Sequence, residues 1–488
     1  MAKKEVDVEQ KQAEAVADDA HIAVEERHGL SLVDDVMGYT PYEADDESYS
    51  VAKDGMEMLL QELCKSDAAN HEIKVDGQLI DKLVEEVDLR LSAQLDAILH
   101  HEDFQRAEST WGSLQFLVDK MDFDENIKLE VMNASKQDIA DDFEESGGAL
   151  LSLLYKKVYT EEYGQFGGEP YGYILGAYDF THKAHDVKLL NGISQISAVA
   201  NAPFITNASN NFFGLDDFDK LSEIKDMKSL FDAPQYTAWN GFRDNDDARN
   251  VCLAMPRFML RNPYGEDNPV RAINYTENIS SKKDYSWGFA SYALVSNMAS
   301  SFAKWRWCPN IIGPNSGGSV NNIPLHVIGE GRTATTVGPT ETAISDRREY
   351  ELAEAGFVPF VVRKGADNAT FFSANSAQRK KTFGNTPEGK QAALDFSLGT
   401  QMPYFGIVSR LSHYIKVLQR ESLGSWKERG DVESELNKWL SQYVADQDSP
   451  SAAIRSQRPL RAASVKVEDI PGEAGWYKVH LAVRPHFK

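Results

Sequence analysis

The sequence predicts a mixed α/β protein with a helical N-terminal region, and three observations carry that prediction. Apolar residues between about 54 and 121 recur at intervals of three and four. From 171 to 330, short β-type runs such as "YGYILGAY" and "NIPLHVIGE" alternate with helical ones such as "SEIKDMKSLF" and "WGFASYALVSNMASSFAKW", with Gly, Pro and Asn clusters between them. The C-terminal stretch "ASVKVEDIPGEAGWYKVHLAVRP" holds two alternating runs joined by a loop with Pro471, Gly472 and Gly475, the pattern of a hairpin.

Taken in order, residues 1–50 hold 14 acidic and 4 basic residues, a net of -10, and little apolar periodicity, so 1–53 reads as a flexible acidic arm. Met56, Leu59 and Leu60, then Leu79, Leu83, Val87, Leu91, Leu95 and Leu99, predict two amphipathic helices. Ala107, Trp111, Leu114 and Val118 form the apolar side of a third, and together these make 54–120 a helical region. "NIKLEVMNAS" then alternates as a strand and opens an α/β body over 121–400. Within it, Asp346 and Glu349 fit a capping box, Gly356 fits a left-handed helix stop, and a strand follows at once. The remainder, 401–488, begins with a helix carrying Ile407, Leu411, Ile415 and Leu418 and ending at Gly424. Ser425 and Glu428 fit a second capping box before a helix with Val432, Leu436, Leu440 and Val444, and the hairpin closes the chain. In its last run Val479, Leu481 and Val483 alternate with Lys478, His480 and Arg484, giving a strand with one dry face. A strand at a chain end must pair inside its own sheet or be reached by another chain.

With 488 residues and 42% hydrophobic composition there is apolar material for one or two substantial cores. The formal charge of -24 argues against wrapping nucleic acid, because phosphate is repelled over most of the surface. Cys64, Cys252 and Cys308 are odd in number and widely spaced, which argues against a disulfide framework or thiolate metal site and fits a reducing cytoplasm. The first residues lack the apolar core of a signal peptide and no run approaches bilayer length, so neither signal-peptide secretion nor membrane insertion is expected.

No motif supplies chemistry. "GPNSGGS" lacks the following Lys of a phosphate-binding loop and reads as a tight turn. The histidines form no HExxH, and no Ser sits in a GxSxG elbow. Glu341, Asp346, Arg347, Arg348 and Glu349 cluster within a short stretch; Glu341, Arg347 and Arg348 read as candidate inter-subunit ion pairs. The alternative is an α/β enzyme using Glu341, Asp346 and Glu349 with His326 or His413, the latter kept neutral by Arg410 and Lys416. A third reading, an adaptor acting through its acidic arm, predicts a monomer. No enzyme activity, cofactor or metal is expected. The many aromatics, 19 Tyr, 23 Phe and 8 Trp, suit large interfaces.

The runs "WCPNIIGPNSGG", "PTETAISDRREYELAEAGFVPFVVRKGADNATFFSANS", "LSHYIKVLQRESLGSWKERGDVESELNKWLSQYVADQ" and "RPLRAASVKVEDIPGEAGWYKVHLAVRPHFK" closely resemble the large sheath subunit of bacterial type VI secretion systems, the TssC/VipB family. "ESTWGSLQFLV", "GEPYGYILGAYDF", "ARNVCLAMPRFMLRNPYG" and "SWGFASYAL" extend the resemblance over roughly residues 100–488. The resemblance implies a phage-tail-sheath-like core with a sheet shared between subunits. It implies pairing with a small subunit, TssB/VipA, copies stacked as six-fold rings around an Hcp inner tube, a baseplate, and recycling of the contracted sheath by a ClpV-type ATPase. The acidic arm becomes partner-pairing, and the hairpin, through Val465, Val467, Tyr477, Val479, Leu481 and Val483, becomes the coupling between neighbours. A helix near the C-terminal end then touches the inner tube, with Glu428, Asp431, Glu435 and Lys438 as the expected contacts.

Overall fold

The computed structural model describes Val33, Met37, residues 47–66 and residues 77–486, except 272, 329–334, 364, 426, 446, 448, 449 and 473–475. Most of the expected acidic arm lies outside the described residues. The chain divides into two units, Met1–Leu89 and Arg90–Lys488. Helices of at least eight residues are numbered here in chain order.

The first unit contains α1 (Glu47–Ser66) and the start of α2 (Gly77–Leu99). Of the residues expected in their apolar stripes, Val87 and Leu91 are exposed and Met56, Leu95 and Leu99 are half-buried. Val51 and Met58 on α1 are exposed, as are Val84, Val87, Leu91 and Ile98 along α2. Spacings of three, four and seven put the last four on one seam of the kind that a second helix covers.

In the second unit, α3 (Glu102–Lys120) buries Ser109, Ser113 and Leu117, and leaves Trp111 67% exposed. The predicted apolar side, with Trp111 and Val118, is therefore a solvent-facing side. The true seam uses small residues that admit close approach. Ser109 Oγ donates to Trp287 O at 2.6 Å, Ser113 Oγ accepts from Phe289 N at 2.9 Å, and a Cβ on Gly112 would lie 2.7 Å from Leu260. The "NIKLEVMNAS" stretch is a second correction: exposure alternates over residues 126–130, but the stretch begins with Asn126 in the left-handed conformation and belongs to no strand. Leu129 packs inward and Lys128 pairs with Glu169, so side chains rather than a backbone ladder hold it. Next comes α4 (Lys136–Glu145), capped by Ser135.

The strands are β1 (Ile174–Phe180), β2 (Phe204–Ala208), β3 (Val251–Met255), β4 (Phe258–Met259), β5 (Trp287–Gly288), β6 (Ser319–Val320), β7 (His326–Ile328), β8 (Thr335–Val337), β9 (Phe357–Val362), β10 (Ala369–Phe371), β11 (Leu460–Asp469) and β12 (Tyr477–Pro485). The main sheet has the order β1-β2-β3-β9-β10-β6. Its first four strands are parallel, β10 runs antiparallel to β9, and β6, antiparallel to β10, returns to the direction of the first four. Successive residues serve opposite cores: Phe204, Val251, Leu253 and Phe357 join one, and Ile205, Cys252, Ala254 and Val358 the other. Helix α5 (Ala184–Ala200) covers the first face with Leu190, Ile193 and Ile196. α6 (Thr237–Asp244) adds Trp239 to the same core. α7 (Ala290–Trp305) covers the second face with Ala293, Leu294 and Met298. Burial on both faces is what continuous apolar strands require.

The helix before β9, α8 (Asp346–Glu354), is capped by Ser345, which accepts from Arg348 N, and not by Asp346. Glu349 instead accepts from Ser373 Oγ at 2.5 Å. Gly356 does adopt the left-handed conformation, φ 89°, and β9 follows directly. After α9 (Pro387–Gly399) come α10 (Met402–Glu421) and α11 (Arg429–Ser441). The second capping box is also shifted: Glu428 is the cap and Asp431 its reciprocal partner, with Ser425 outside it. A carboxylate at the cap competes well because it accepts backbone N–H groups at the positive helix end.

Candidate assembly interface

The C-terminal module grows from α10, α11 and the β11–β12 hairpin. Ile407, Leu411 and Ile415 of α10, Val432, Leu436 and Leu440 of α11, and Val465 and Val467 of β11 share one core with Trp307. Tyr477, Val479, Leu481 and Val483 of β12 are partly buried against the same core. The expected coupling residues thus lie together on the inner face. Their register pairs Val465 with Leu481, Val467 with Val479 and Asp469 with Tyr477.

The two edges of this hairpin differ. Asn437 Oδ1 accepts from Val465 N at 2.9 Å and its Nδ2 donates to Val465 O at 2.8 Å. Glu433 Oε2 accepts from Val467 N at 2.9 Å. At the base, Leu460 N donates to Tyr443 O and Ala445 N to Leu460 O. α11 and the residues after it therefore close the edge of β11. Because Val465 and Val467 point their backbone groups away from β12, their partners Leu481 and Val479 point theirs away from β11, as antiparallel alternation demands. No described group bonds these outward amides, and β12 is an open edge. The sequence signals the strands; Asn437 and Glu433, which decide the edge, were missed. The one hint was an Asn inside an amphipathic helix, a poor helix former there.

Glu428, Asp431, Glu435 and Lys438, the residues expected at an inner tube, are exposed. Glu428 and Asp431 are engaged in the capping box, and Glu435 pairs with Lys427. The three residues expected in ion pairs all have partners within the chain. Arg257 holds Glu341 through two bonds of 3.1 and 2.8 Å. Arg347 and Arg348 both bond Glu351, and only Arg347 remains largely exposed.

Of the residues of the enzyme alternative, Glu341, Glu349, His326 and His413 each bond a different partner, while Asp346 lies on the same helix as Glu349, whose pKa burial raises and Asp346 raises further. Glu341 is held by Arg257, Glu349 by Ser373, and His326 lies 2.7 Å from Tyr285 Oη. His413 donates from Nε2 to Ala200 O at 3.0 Å, helping to cap the end of α5. Burial pushes its pKa down to about 4, with Lys416 and Arg410 adding to the effect. The neutrality expected from the sequence is there, chiefly from burial. Cys252 and Cys308 are buried free thiols. "GPNSGGS" is a turn in which Gly313 and Gly317 take φ of 80° and 84°. Among the described residues no helix is long and apolar enough to cross a membrane.

The described residues thus form an α/β body and a hairpin module with one closed and one open edge. Residues 81–378 match the family described as "EvpB/VC_A0108, tail sheath N-terminal domain", and residues 391–488 match "EvpB/VC_A0108, tail sheath gpW/gp25-like domain". The chain thus falls in the class of tail-sheath proteins. The chain belongs to the VipB/TssC family of type VI secretion system sheath proteins: it is 36% identical over 416 residues to the type VI secretion system sheath protein TssC1 of Pseudomonas aeruginosa, covering 84% of this chain and 83% of that one. It is also similar to a chain of the anti-feeding prophage baseplate, at 10% identity and TM-score 0.36, covering 75% of this chain and 81% of that one. A second solved structure, the same particle's contracted helical sheath, gives 10% identity and TM-score 0.30 over 62% and 64%.

Proposed function

We propose that this chain is the large structural subunit of a contractile type VI secretion sheath, working in the cytoplasm. It pairs with a small subunit of the TssB/VipA type and stacks in six-fold rings around an Hcp-type inner tube. Contraction expels that tube, and a ClpV-type ATPase recycles the contracted sheath. The observation that carries the reading is the open edge of β12 beside the closed edge of β11. A free strand edge accepts a strand from another chain, and that backbone ladder can hinge while helical faces slide and repack. The exposed apolar residues along α2, Val84, Val87, Leu91 and Ile98, fit an apolar helix of the small partner. The solvent side of α11 fits the inner tube, where weak polar contacts can exchange, and exposed Arg347 is open to a neighbour. The role is structural, a reading supported by Glu341, Glu349, His326 and His413 each bonding a different partner.

Co-expression with a small sheath subunit, followed by electron microscopy of the purified material, tests this. Tubes are expected. A monodisperse monomer under conditions where the small subunit is soluble would favour the adaptor reading and overturn the proposal.

A further inference from the structure

The inner face of the β11–β12 hairpin is covered by α11; its outer face is not covered by any described element. Cross-strand neighbours on that face are Ala462 with Arg484, Ser464 with Ala482, Lys466 with His480, and Glu468 with Lys478. The middle is a floor of small residues, Ala462, Ser464 and Ala482, all exposed. Around it stand Lys466, Lys478, His480 and Arg484, with Glu468 the one acidic residue, paired with Lys466 and His480. Arg484 stands at one end, and Arg461 and Arg455, the latter from the short helix Ala452–Gln457, lie near His486 at the hairpin base. Among the described residues, no ion pair or side-chain hydrogen bond holds Arg455, Arg458, Arg461, Lys478 or Arg484. Arg455 and Arg461 are close enough to depress the pKa of His486, after burial the largest influence on it.

Such a concentration of free cations is anomalous in a chain of net charge -24. In an array of identical chains, each carrying that charge, close packing is repulsive unless cationic patches face the acidic surface of the next copy. We propose that the outer face of this hairpin is a docking surface for an acidic face of a second copy of this chain, a contact distinct from strand addition at the β12 edge. The inference rests on the reading of the chain as a sheath subunit. The second copy is favoured as occupant because its acidity is established and an array presents it repeatedly. A heterologous contact of this kind, where one patch meets a different patch, propagates into rings or helices. Its size fits that use. Nine residues at about 3.3 Å each and two strands about 5 Å apart give a face of roughly 300 Å². That is well under the roughly 800 Å² per partner of a stable isolated complex, so the contact should form only within the array.

The test uses the full chain co-expressed with its small partner. Charge reversal by Arg461→Glu with Arg484→Glu is expected to leave folding and pairing with the small subunit unchanged while sedimentable tubes fall by about tenfold or more, tenfold being roughly 1.4 kcal/mol of contact energy. In parallel, a photo-crosslinking amino acid replacing Ser464 in otherwise unaltered tubes should capture an acidic peptide of a second copy, and raised salt should reduce the yield. Normal tubes from the double variant, or crosslinks confined to the small subunit or the inner tube, would overturn the inference while leaving the sheath reading in place. Absence of tubes from the unaltered chain would overturn both.

Discussion

Asn437 grips Val465 from the side like a neighbouring strand, its Oδ1 accepting from Val465 N at 2.9 Å and its Nδ2 donating to Val465 O at 2.8 Å. A side-chain amide carries the same donor and acceptor as a peptide, so one helix residue satisfies a strand edge and denies it to other chains. Asn437→Ala leaves both backbone groups of a buried residue without partners. A loss of about 1–3 kcal/mol in unfolding free energy is expected, read as a lower denaturant midpoint of the isolated chain. An unchanged midpoint would show that the edge is closed by other means.

The two edges also predict opposite sensitivities to proline on β12. Leu481 turns its amide outward, whereas His480 turns its amide into the β11 ladder. Leu481→Pro is expected to preserve the fold and abolish long tubes; His480→Pro should destabilise the module itself. Thermal unfolding and electron microscopy of both variants separate the two effects. Tubes of normal length from Leu481→Pro would mean that the outward amide is unused.

Acid should weaken the chain through His413. Its pKa is pushed down to about 4 in the fold, against about 6.5 when unfolded, so between these values the unfolded chain binds the extra proton. Stability is therefore full above about pH 6.5 and falls as pH drops toward 4, by on the order of 3 kcal/mol from this group. His413→Gln should flatten that slope. Denaturant melts at pH 7 and pH 5 for both proteins check it, and equal slopes would remove His413 from the account.

On α11, Asp431 belongs to the capping box and is a poor choice for testing the lumen contact. Glu435 and Lys438 are exposed and outside the cap. Reversing both charges should leave empty sheath assembly intact and reduce the inner tube found in purified sheaths. Unchanged occupancy would assign this helix face to solvent.

Much of this was legible in the sequence where a period had a single physical cause. The alternation of Val479, Leu481 and Val483 gave the last strand, and Gly356 and Gly424 gave helix stops, both with positive φ. The failures share a different origin. In α3 the apolar stripe through Trp111 points outward, because the packed seam is built from Ser109, Gly112 and Ser113, whose small size matters more than hydrophobicity. "NIKLEVMNAS" alternates like a strand, but a strand needs a partner at the right height, and local pattern does not reveal one. The cap of α8 went to Ser345 over Asp346 because neighbouring residues of similar capping strength compete through tertiary context.

The central claim is that another chain adds a strand to β12. A reconstruction of the tube formed with the small subunit tests it most directly. A foreign strand hydrogen-bonded along the outer edge of β12 is expected, with Asn437 and Glu433 still closing β11. A tube in which the β12 edge faces solvent, or is paired only by its own chain, would contradict it.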